Sequence, residues 1–393
     1  MKSAAVFALG LLLPLGPGSA RAQTTVLLSL DGFANGYLAD PGLKTIKALR
    51  DEGTSGPLTP PYPSLTFPSH TTIATGCPVA KHGIVANKFV DKKRGEFDYL
   101  ETPDWNECEP LWVAAERQGV RTATFDWPVS YGSWHGSRAT YHPAAFELRK
   151  RNREILDDLV ASLSLDREHR PRLLMTRLGA MDGTGHRYGP ASPQTKRRVL
   201  GIDRELDRFR SRLARIPGLG PVTLFVVSDH GMAEVKEVLS LSRAFADKKI
   251  PGIAAVEASI FYLYLWDPLA AREVFGRLGE IAGARIFLAS DWPAVFGKVN
   301  PRMGDLIGVT EPPRMFRWRQ GSEEEPDKGA HGYDPALPEM KGIFIAWGAG
   351  IAKGRKIEGA EAIQMAATVS RSLNIQPPKD NEGTPLDAIF TSD

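Results

Sequence analysis

Three apolar runs of this 393-residue chain end in aspartate. TVLLSL leads into Asp31-Gly32, LLMTRLGAM into Asp182-Gly183, and VTLFVVS into Asp229-His230-Gly231. One aspartate after an apolar run is an ordinary cap or turn residue. Three, each followed at once by Gly or His-Gly, suggest a shared task. Brought together they would repel one another and raise their own pKa values unless cations neutralised them. Histidines accompany them. Asp182 and His186 stand four residues apart, able to face one ion from a single turn, and Asp229-His230 offers two ligands in succession. His331-Gly332 adds an imidazole after an acidic loop. Mixed Asp/His ligation suits a zinc-like borderline cation rather than calcium, which prefers oxygen alone. Any one histidine is more commonly a satisfied structural residue than a ligand; the set reads as a metal site.

A candidate nucleophile stands in the stretch PSLTFPSHTT, residues 63–72. Pro68 favours a helix start, which puts Thr66 just before the helix N-terminus. There the dipole and free N–H groups favour an alkoxide or a phosphate oxygen. A threonine hydroxyl attacks poorly until a base or a metal lowers its pKa. The competing reading of Thr66 is a plain N-cap.

The elements that must position these groups alternate. Thr25–Leu30, Arg121–Phe125, Arg172–Leu178, Val222–Ser228 and Ile343–Trp347 are continuous apolar runs of strand length, the pattern of strands buried on both faces. Helical periodicity lies between them, near Leu43–Asp51, Pro110–Gln118, Ala144–Leu163, Lys196–Leu213 and Ala360–Leu373. Pro110 suits a first-turn position. The fold class is therefore α/β, a mainly parallel central sheet covered by helices on both faces. Carboxyl ends of strands in such a sheet converge on one crevice, where ligands bind. Residues of about 232–328 are less regular and read as an insertion, with strands near Ser259–Leu265 and Leu306–Val309 and a helix near Arg272–Ala282. The run Glu323-Glu324-Glu325 reads as a solvated loop.

Composition agrees with a globular enzyme. The chain is 42% hydrophobic and 24% charged, with 38 Gly and 30 Pro, short of a disordered or collagen-like chain. Its 49 basic and 46 acidic residues give +3, no footprint for coating long nucleic acid. Residues 1–22 read as a secretory signal: Lys2, an apolar stretch from Ala4 to Leu15, and an A-x-A-like site at Ala20-Arg21-Ala22. Gly16, Pro17 and Gly18 break the run too early for a spanning helix; an uncleaved anchor is the alternative. Cleavage would remove Lys2 and Arg21, leaving a secreted or periplasmic chain of residues 23–393, one catalytic domain with an insertion and no attraction to membranes. The two cysteines, Cys77 and Cys108, form no C-x-x-C and could either pair or be small buried side chains.

Six motifs occur in a recognisable order: Asp31-Gly32; TFPSH from Thr66; KHGI from Lys81 with Asn87; DGTGHRYGP from Asp182; SDHGM from Ser228; and GAHG from Gly329. The chain resembles the nucleotide pyrophosphatase/phosphodiesterase branch of the alkaline phosphatase superfamily from Val26 to about Pro377. The resemblance implies two Zn²⁺ ions, one held by Asp182, His186 and His331, the other by Asp31, Asp229, His230 and the Thr66 oxygen. Their four positive charges would balance three carboxylates and a threonine alkoxide. Asn87 would act with the Thr66 backbone N–H on a non-bridging phosphate oxygen, and a phospho-threonine intermediate would form and be hydrolysed. The stretch from Pro57 to Lys93 lacks an arginine before Arg94 that could grip extra phosphate charge, which favours a diester or pyrophosphate substrate, a small phosphate ester of nucleotide type. Phe67 and Tyr141 would sandwich a base, core packing being the alternative for each. Phosphonate hydrolases, threonine-type phosphomonoesterases and lipid or choline phosphodiesterases share these motifs and remain open.

Overall fold

The computed structural model describes residues 23–391 apart from 100–101, 143–150, 248, 279–280 and 319–326. The expected signal segment, the first part of the helix expected at Ala144–Leu163 and the Glu323–Glu325 loop lie outside the described residues.

In chain order the elements that build the site are β1 (Thr24–Leu30), α1 (Lys44–Asp51), β2 (Thr54–Thr59), α2 (Thr66–Thr75), α3 (Leu111–Arg117), β3 (Thr122–Phe125), α4 (Asn152–Leu163), β4 (Leu173–Leu178), α5 (Ala180–Tyr188), α6 (Pro193–Leu213) and β5 (Val222–Val227). Then come β6 (Gly252–Val256), β7 (Ile260–Leu265), α7 (Ala271–Leu278), β8 (Ala284–Leu288), β9 (Leu306–Thr310), β10 (Gly342–Gly348) and α8 (Met365–Leu373). The central sheet runs β2-β10-β5-β1-β4-β3, extended beside β2 by the short strands Arg355–Lys356 and Ala360–Glu361. β5, β1, β4 and β3 pair in parallel, and β10 alone runs against its neighbours β5 and β2. Every residue of β1 is buried, as its unbroken apolar sequence requires. One core lies on each face. Leu28, Leu174, Leu159, Ile202 and Phe209 pack on one side, and Leu27, Phe225, Trp112, Ile73 and Val369 on the other.

The expected mainly parallel α/β sheet is thus present, with one reversed strand. That reversal matters for chemistry, because the amino end of β10 then lies beside the carboxyl ends of β1, β4 and β5. Gly231 N–H reaches the Met340 carbonyl at 3.0 Å, bringing the segment that follows His331 against the Asp229-His230 turn. Residues 252–310 form a second, antiparallel sheet in the order β6-β7-β9-β8, within the stretch of about 232–328 whose pattern is less regular. Three helix starts differ by a few residues from expectation. Thr66 is the first residue of α2 rather than the residue before it. Pro110 occupies the cap of α3, and Ala360 begins a short strand ahead of α8. End-on competition between caps and turns sets such boundaries. Cys77 and Cys108 are joined as a disulfide.

Candidate active site

The three aspartates meet where the parallel strands end. Asp31 follows β1, Asp229 follows β5 by two residues, and Asp182 lies in the first turn of α5 just after β4. Gly32 is required beside Asp31: its φ is +69°, and a Cβ there would lie 2.9 Å from the Asp182 backbone. Gly332 plays the same part after His331, with φ +93° and space closed by Ser259 Oγ at 2.3 Å.

Each imidazole is aimed in the same way. Nδ1–H donates to a backbone carbonyl in all three: His186 to Gly329 at 2.9 Å, His230 to Gly231 at 2.9 Å, His331 to Ser64 at 3.0 Å. Their Nε2 atoms then turn inward as acceptors, the tautomer of metal-binding histidines. His230 Nε2 lies 3.1 Å from Asp229 and 3.5 Å from Asp31. His186 and His331 Nε2 lie 3.4 and 3.5 Å from one Asp182 oxygen and 3.1 Å from each other. The carboxylates are held by their outer oxygens. Asp229 Oδ1 accepts the Gly32 N–H at 3.1 Å, and Asp31 Oδ2 accepts the Arg177 guanidinium at 2.6 Å. Asp31 Oδ1, Asp182 Oδ1 and Asp229 Oδ2 are buried without a hydrogen-bond partner.

A set of buried acceptors facing one another costs several kcal/mol per unmet charge unless cations join it. The residues present therefore fit divalent metal. Asp31, Asp229 and His230 form one compact ligand group, and Asp182, His230 and His331 a second, with His186 beside it. The electrostatics express the same demand. Burial and the neighbouring Asp229 and Asp182 raise Asp31 well above the carboxylate range. Burial would lower His230 and His186, yet Asp229 and Asp182 respectively outweigh it and lift them to about 10 and about 9. Burial and the charge of His230 lower His331 to about 3.

Thr66 Oγ1 lies 3.2 Å from His230 Nε2, at the edge of the first group. Asn87 Oδ1 accepts the Phe67 N–H at 2.9 Å, which turns the amide's donor side away from the helix. Phe67 N–H is thus already taken, leaving Thr66 N–H and the Asn87 amide as the donors near Thr66 Oγ1. Thr66 is not a side-chain N-cap.

A cleft of about 870 Å³ opens over this cluster, and Asp31, Thr66, Phe67, Asn87, Asp182, His186 and His331 all line it. His230 is buried beneath. Tyr141 is not brought there. It extends the sheet edge beside Ala123, and its hydroxyl donates to the His169 carbonyl at 2.9 Å, near the amino end of β4. The expectation that it stacks on a base is corrected on this ground. Tyr99 instead faces Phe67, ring centres 5.2 Å apart at 80°, and lines the cleft. Three further cleft residues escaped sequence reasoning. Arg177 also donates to Asp126 at 2.8 Å; its signal was an arginine inside the buried run LLMTRL. Glu257, on the β6–β7 turn, accepts the Lys88 N–H at 2.9 Å and is pushed by burial to about 7. Asp327 lies 3.8 Å from His186 Nδ1. His70 and His82 are structural: His70 donates to the Thr66 carbonyl at 2.8 Å, and His82 bonds Thr72 at 2.9 Å.

An α/β sheet with a metal-fitting Asp/His cluster at its strand ends and a threonine at a helix start defines a class, the alkaline phosphatase-like hydrolases. The sequence profile of the type I phosphodiesterase / nucleotide pyrophosphatase family matches residues 25–334, so the chain belongs to that family. An uncharacterized pyrophosphatase/phosphodiesterase of Schizosaccharomyces pombe is 29% identical over 92% of this chain and 79% of its own length. Human ectonucleotide pyrophosphatase/phosphodiesterase family member 1 is 26% identical over 94% of this chain, which spans 42% of that protein. The structure of human ectonucleotide pyrophosphatase / phosphodiesterase 5 superposes with a TM-score of 0.85 at 22% identity, covering 94% of this chain and all of that one. Its murine counterpart, an inactive threonine-to-alanine variant in complex with AMP, matches equally at 23% identity. Among the described residues no helix is long and apolar enough to cross a membrane.

Proposed function

We propose that this chain is an exported two-zinc phosphodiesterase/nucleotide pyrophosphatase that works through a phospho-threonine intermediate. The observation that carries this is the convergence of three inward Nε2 atoms and three orphaned carboxylate oxygens beside Thr66 Oγ1. Asp31, Asp229 and His230 would hold one ion with the Thr66 oxygen, and Asp182, His186 and His331 the other. Zinc, when bound, would lower the pKa of the threonine hydroxyl and of water and offset the charge growing on the phosphoryl oxygens.

The chain's own residues do the rest. Thr66 Oγ1 attacks phosphorus, forming one P–O bond as the bond to the leaving oxygen breaks on the opposite side. Water then attacks phosphorus in turn, its P–O bond forming as the P–Oγ1 bond breaks, and a proton from the water returns to Thr66 Oγ1. The Asn87 amide, held by its bond from Phe67 N–H, donates to a non-bridging oxygen together with Thr66 N–H. Phe67 and Tyr99 wall the space beside the phosphate, which suits a flat substituent such as a nucleobase. The AMP complex of the murine relative supports a nucleotide ligand. Export rests on residues 1–22 and on the extracellular character in the names of relatives, among them a venom phosphodiesterase of Crotalus adamanteus.

The test is metal analysis of the purified chain together with a survey of bis-p-nitrophenyl phosphate, a 5′-nucleotide p-nitrophenyl ester, p-nitrophenyl phosphate and phosphonoacetate. Preference for the two diesters is expected, and Thr66→Ala should lower turnover by three orders of magnitude or more while retaining zinc. Preference for the monoester or the phosphonate would sink the reading.

A further inference from the structure

Helix α6 carries ten charged side chains, and their arrangement is not even. Its inner face buries Val199, Ile202, Leu206 and Phe209. Arg198, Arg210 and Arg212 reach Glu205, Glu52 and Asp157. Arg197, Arg204 and Arg208 are all exposed and have no carboxylate of the described residues within ion-pair distance. Their spacing of seven and four residues sets them on one side of the helix, along about 16 Å. Arg215, just past the helix end, continues the line.

The face they form is grooved. A depression of about 440 Å³ contains Arg197, Arg204 and Arg208, the paired Arg198 and Glu205, and Tyr188 and Thr184 of α5. Gly201 lies between the arginines, where an added Cβ would meet only the end of Arg204. A second depression, of about 590 Å³, shares Arg208 and runs on to Arg215, with Asp157, Glu205 and Asp207 also on its wall. At its other end the groove meets the catalytic cleft across one helix: Gly183 lines the cleft and Thr184, its neighbour, lines the groove. Tyr188 offers an exposed ring there, with the Arg187 guanidinium 5.3 Å from its centre.

We propose that the arginine face of α6 is a track for single-stranded oligonucleotide, holding the anionic remainder of a chain whose terminal phosphodiester lies in the cleft. The inference rests on the phosphodiesterase reading above. A line of unpaired guanidiniums with an aromatic ring at its head is the chemistry that follows a phosphate backbone and stacks a base. A bilayer would be met by exposed apolar anchors, and the described residues of the groove present none beyond Tyr188. The even charge of the whole chain does not oppose this, because it counts charges without regard to where they stand.

Steady-state rates on a twelve-residue oligothymidylate and on bis-p-nitrophenyl phosphate, for the wild type, for Arg197→Gln/Arg204→Gln/Arg208→Gln and for the corresponding triple lysine variant, test the track. Neutralising about three phosphates of a single strand predicts an oligonucleotide KM that rises about twentyfold between 50 and 200 mM salt. The glutamine variant should show at least a tenfold higher KM at low salt and a flatter salt slope, with kcat and the small diester unchanged. The lysine variant should recover most of the loss. An oligonucleotide KM and salt slope that survive in the glutamine variant would overturn the track. So would loss of binding to phosphatidylglycerol vesicles with oligonucleotide kinetics intact, which would make the face a membrane contact. Should the wild type hydrolyse neither substrate, the phosphodiesterase reading fails; fluorescence anisotropy of labelled oligothymidylate on Thr66→Ala, with and without the glutamine triple, still decides the track.

Discussion

At the scale of single residues, the site depends on groups that never touch the reacting atoms. Arg177 takes one oxygen of Asp31 and leaves the other facing His230. It is a positioning residue, fixed in turn by Asp126. A lysine cannot bridge both carboxylates with a planar fork, so Arg177→Lys should weaken zinc 10- to 100-fold and lower kcat/KM in parallel. Competition with a chelating dye and steady-state kinetics measure both, and values within twofold of wild type would remove the role. Glu257 carries a pH signature. Its folded pKa, about 7 against an ordinary 4.5, arises because burial outweighs the Lys88 and Asn87 N–H groups that favour its charge. The stability it contributes is fully present below about pH 4.5 and is lost as pH rises through about 7. Glu257→Gln stays neutral and can still accept the Lys88 N–H. It should therefore gain on the wild type by about 1–3 kcal/mol between pH 5 and pH 8. Denaturant melts at the two pH values check this, and a gap that does not grow with pH would refute it. Asp31, Asp182, Asp229 and the histidines were legible because a strand end forces its next residues into the crevice. Arg177 was written in plain sight within β4, but one polar residue in a buried run does not say what it meets. Tyr99 and Glu257 were not legible, since their place depends on how a loop and the second sheet close over the cleft. Tyr141 misled for a related reason: likeness of a stretch does not say which end of the sheet a ring faces.

Among the elements, the strands were readable from unbroken apolar runs, and helix boundaries were not, because capping and turn chemistry compete over a few residues. Two cross-links explain how the helices keep the ligands still. Asp203 of α6 is buried and accepts the N–H groups of Thr45 at 3.2 Å and Ile46 at 2.8 Å, in the first turn of α1. It supplies the acceptor that α1 lacks for its own first N–H groups, since Leu43 stands at its cap. Asp203→Ala should cost about 2 kcal/mol by removing the cap and leaving those donors buried and unmet, while Asp203→Asn should cost less. Urea midpoints with unchanged m values would measure it, and equal midpoints for the alanine variant and the wild type would show that the bond does not stabilise. The Cys77–Cys108 bond ties the end of α2 to the start of α3. Thr66 begins α2, so this link holds the helix that carries the proposed nucleophile. Closing a loop of 31 residues in the unfolded chain is worth about 3–4 kcal/mol in the chain-entropy account. Cys77→Ala/Cys108→Ala should lose about that much stability, read from denaturant unfolding under non-reducing conditions. A double variant as stable as the wild type would show that the bond contributes nothing to the fold.

For the whole molecule, the balance of 49 basic and 46 acidic residues hides two concentrations of charge, three aspartates at the strand ends and a row of exposed arginines on α6. The aspartates sit on three different strands or the helix following one, and the histidines on a helix, a strand end and the approach to the reversed strand. Mutual repulsion in the cluster therefore pulls on most of the central sheet at once. Whatever neutralises it acts as a ligand of the folded state alone, because the unfolded chain holds these groups far apart. Free zinc at a thousandfold excess over its dissociation constant would add about 4 kcal/mol per site. Dialysis against a chelator should accordingly lower the melting temperature by several degrees. Zinc should restore it, and calcium should not, since three of the seven proposed ligand atoms are imidazole nitrogens. The same scan on Thr66→Ala separates the two roles of the centre. That variant keeps the six side-chain ligands, so its melting temperature should still fall on chelation and recover with zinc although its turnover is lost. A melting temperature indifferent to chelator in both proteins would mean that the aspartates are neutralised by their own histidines, with His230 and His186 holding the protons to which their carboxylate neighbours already dispose them.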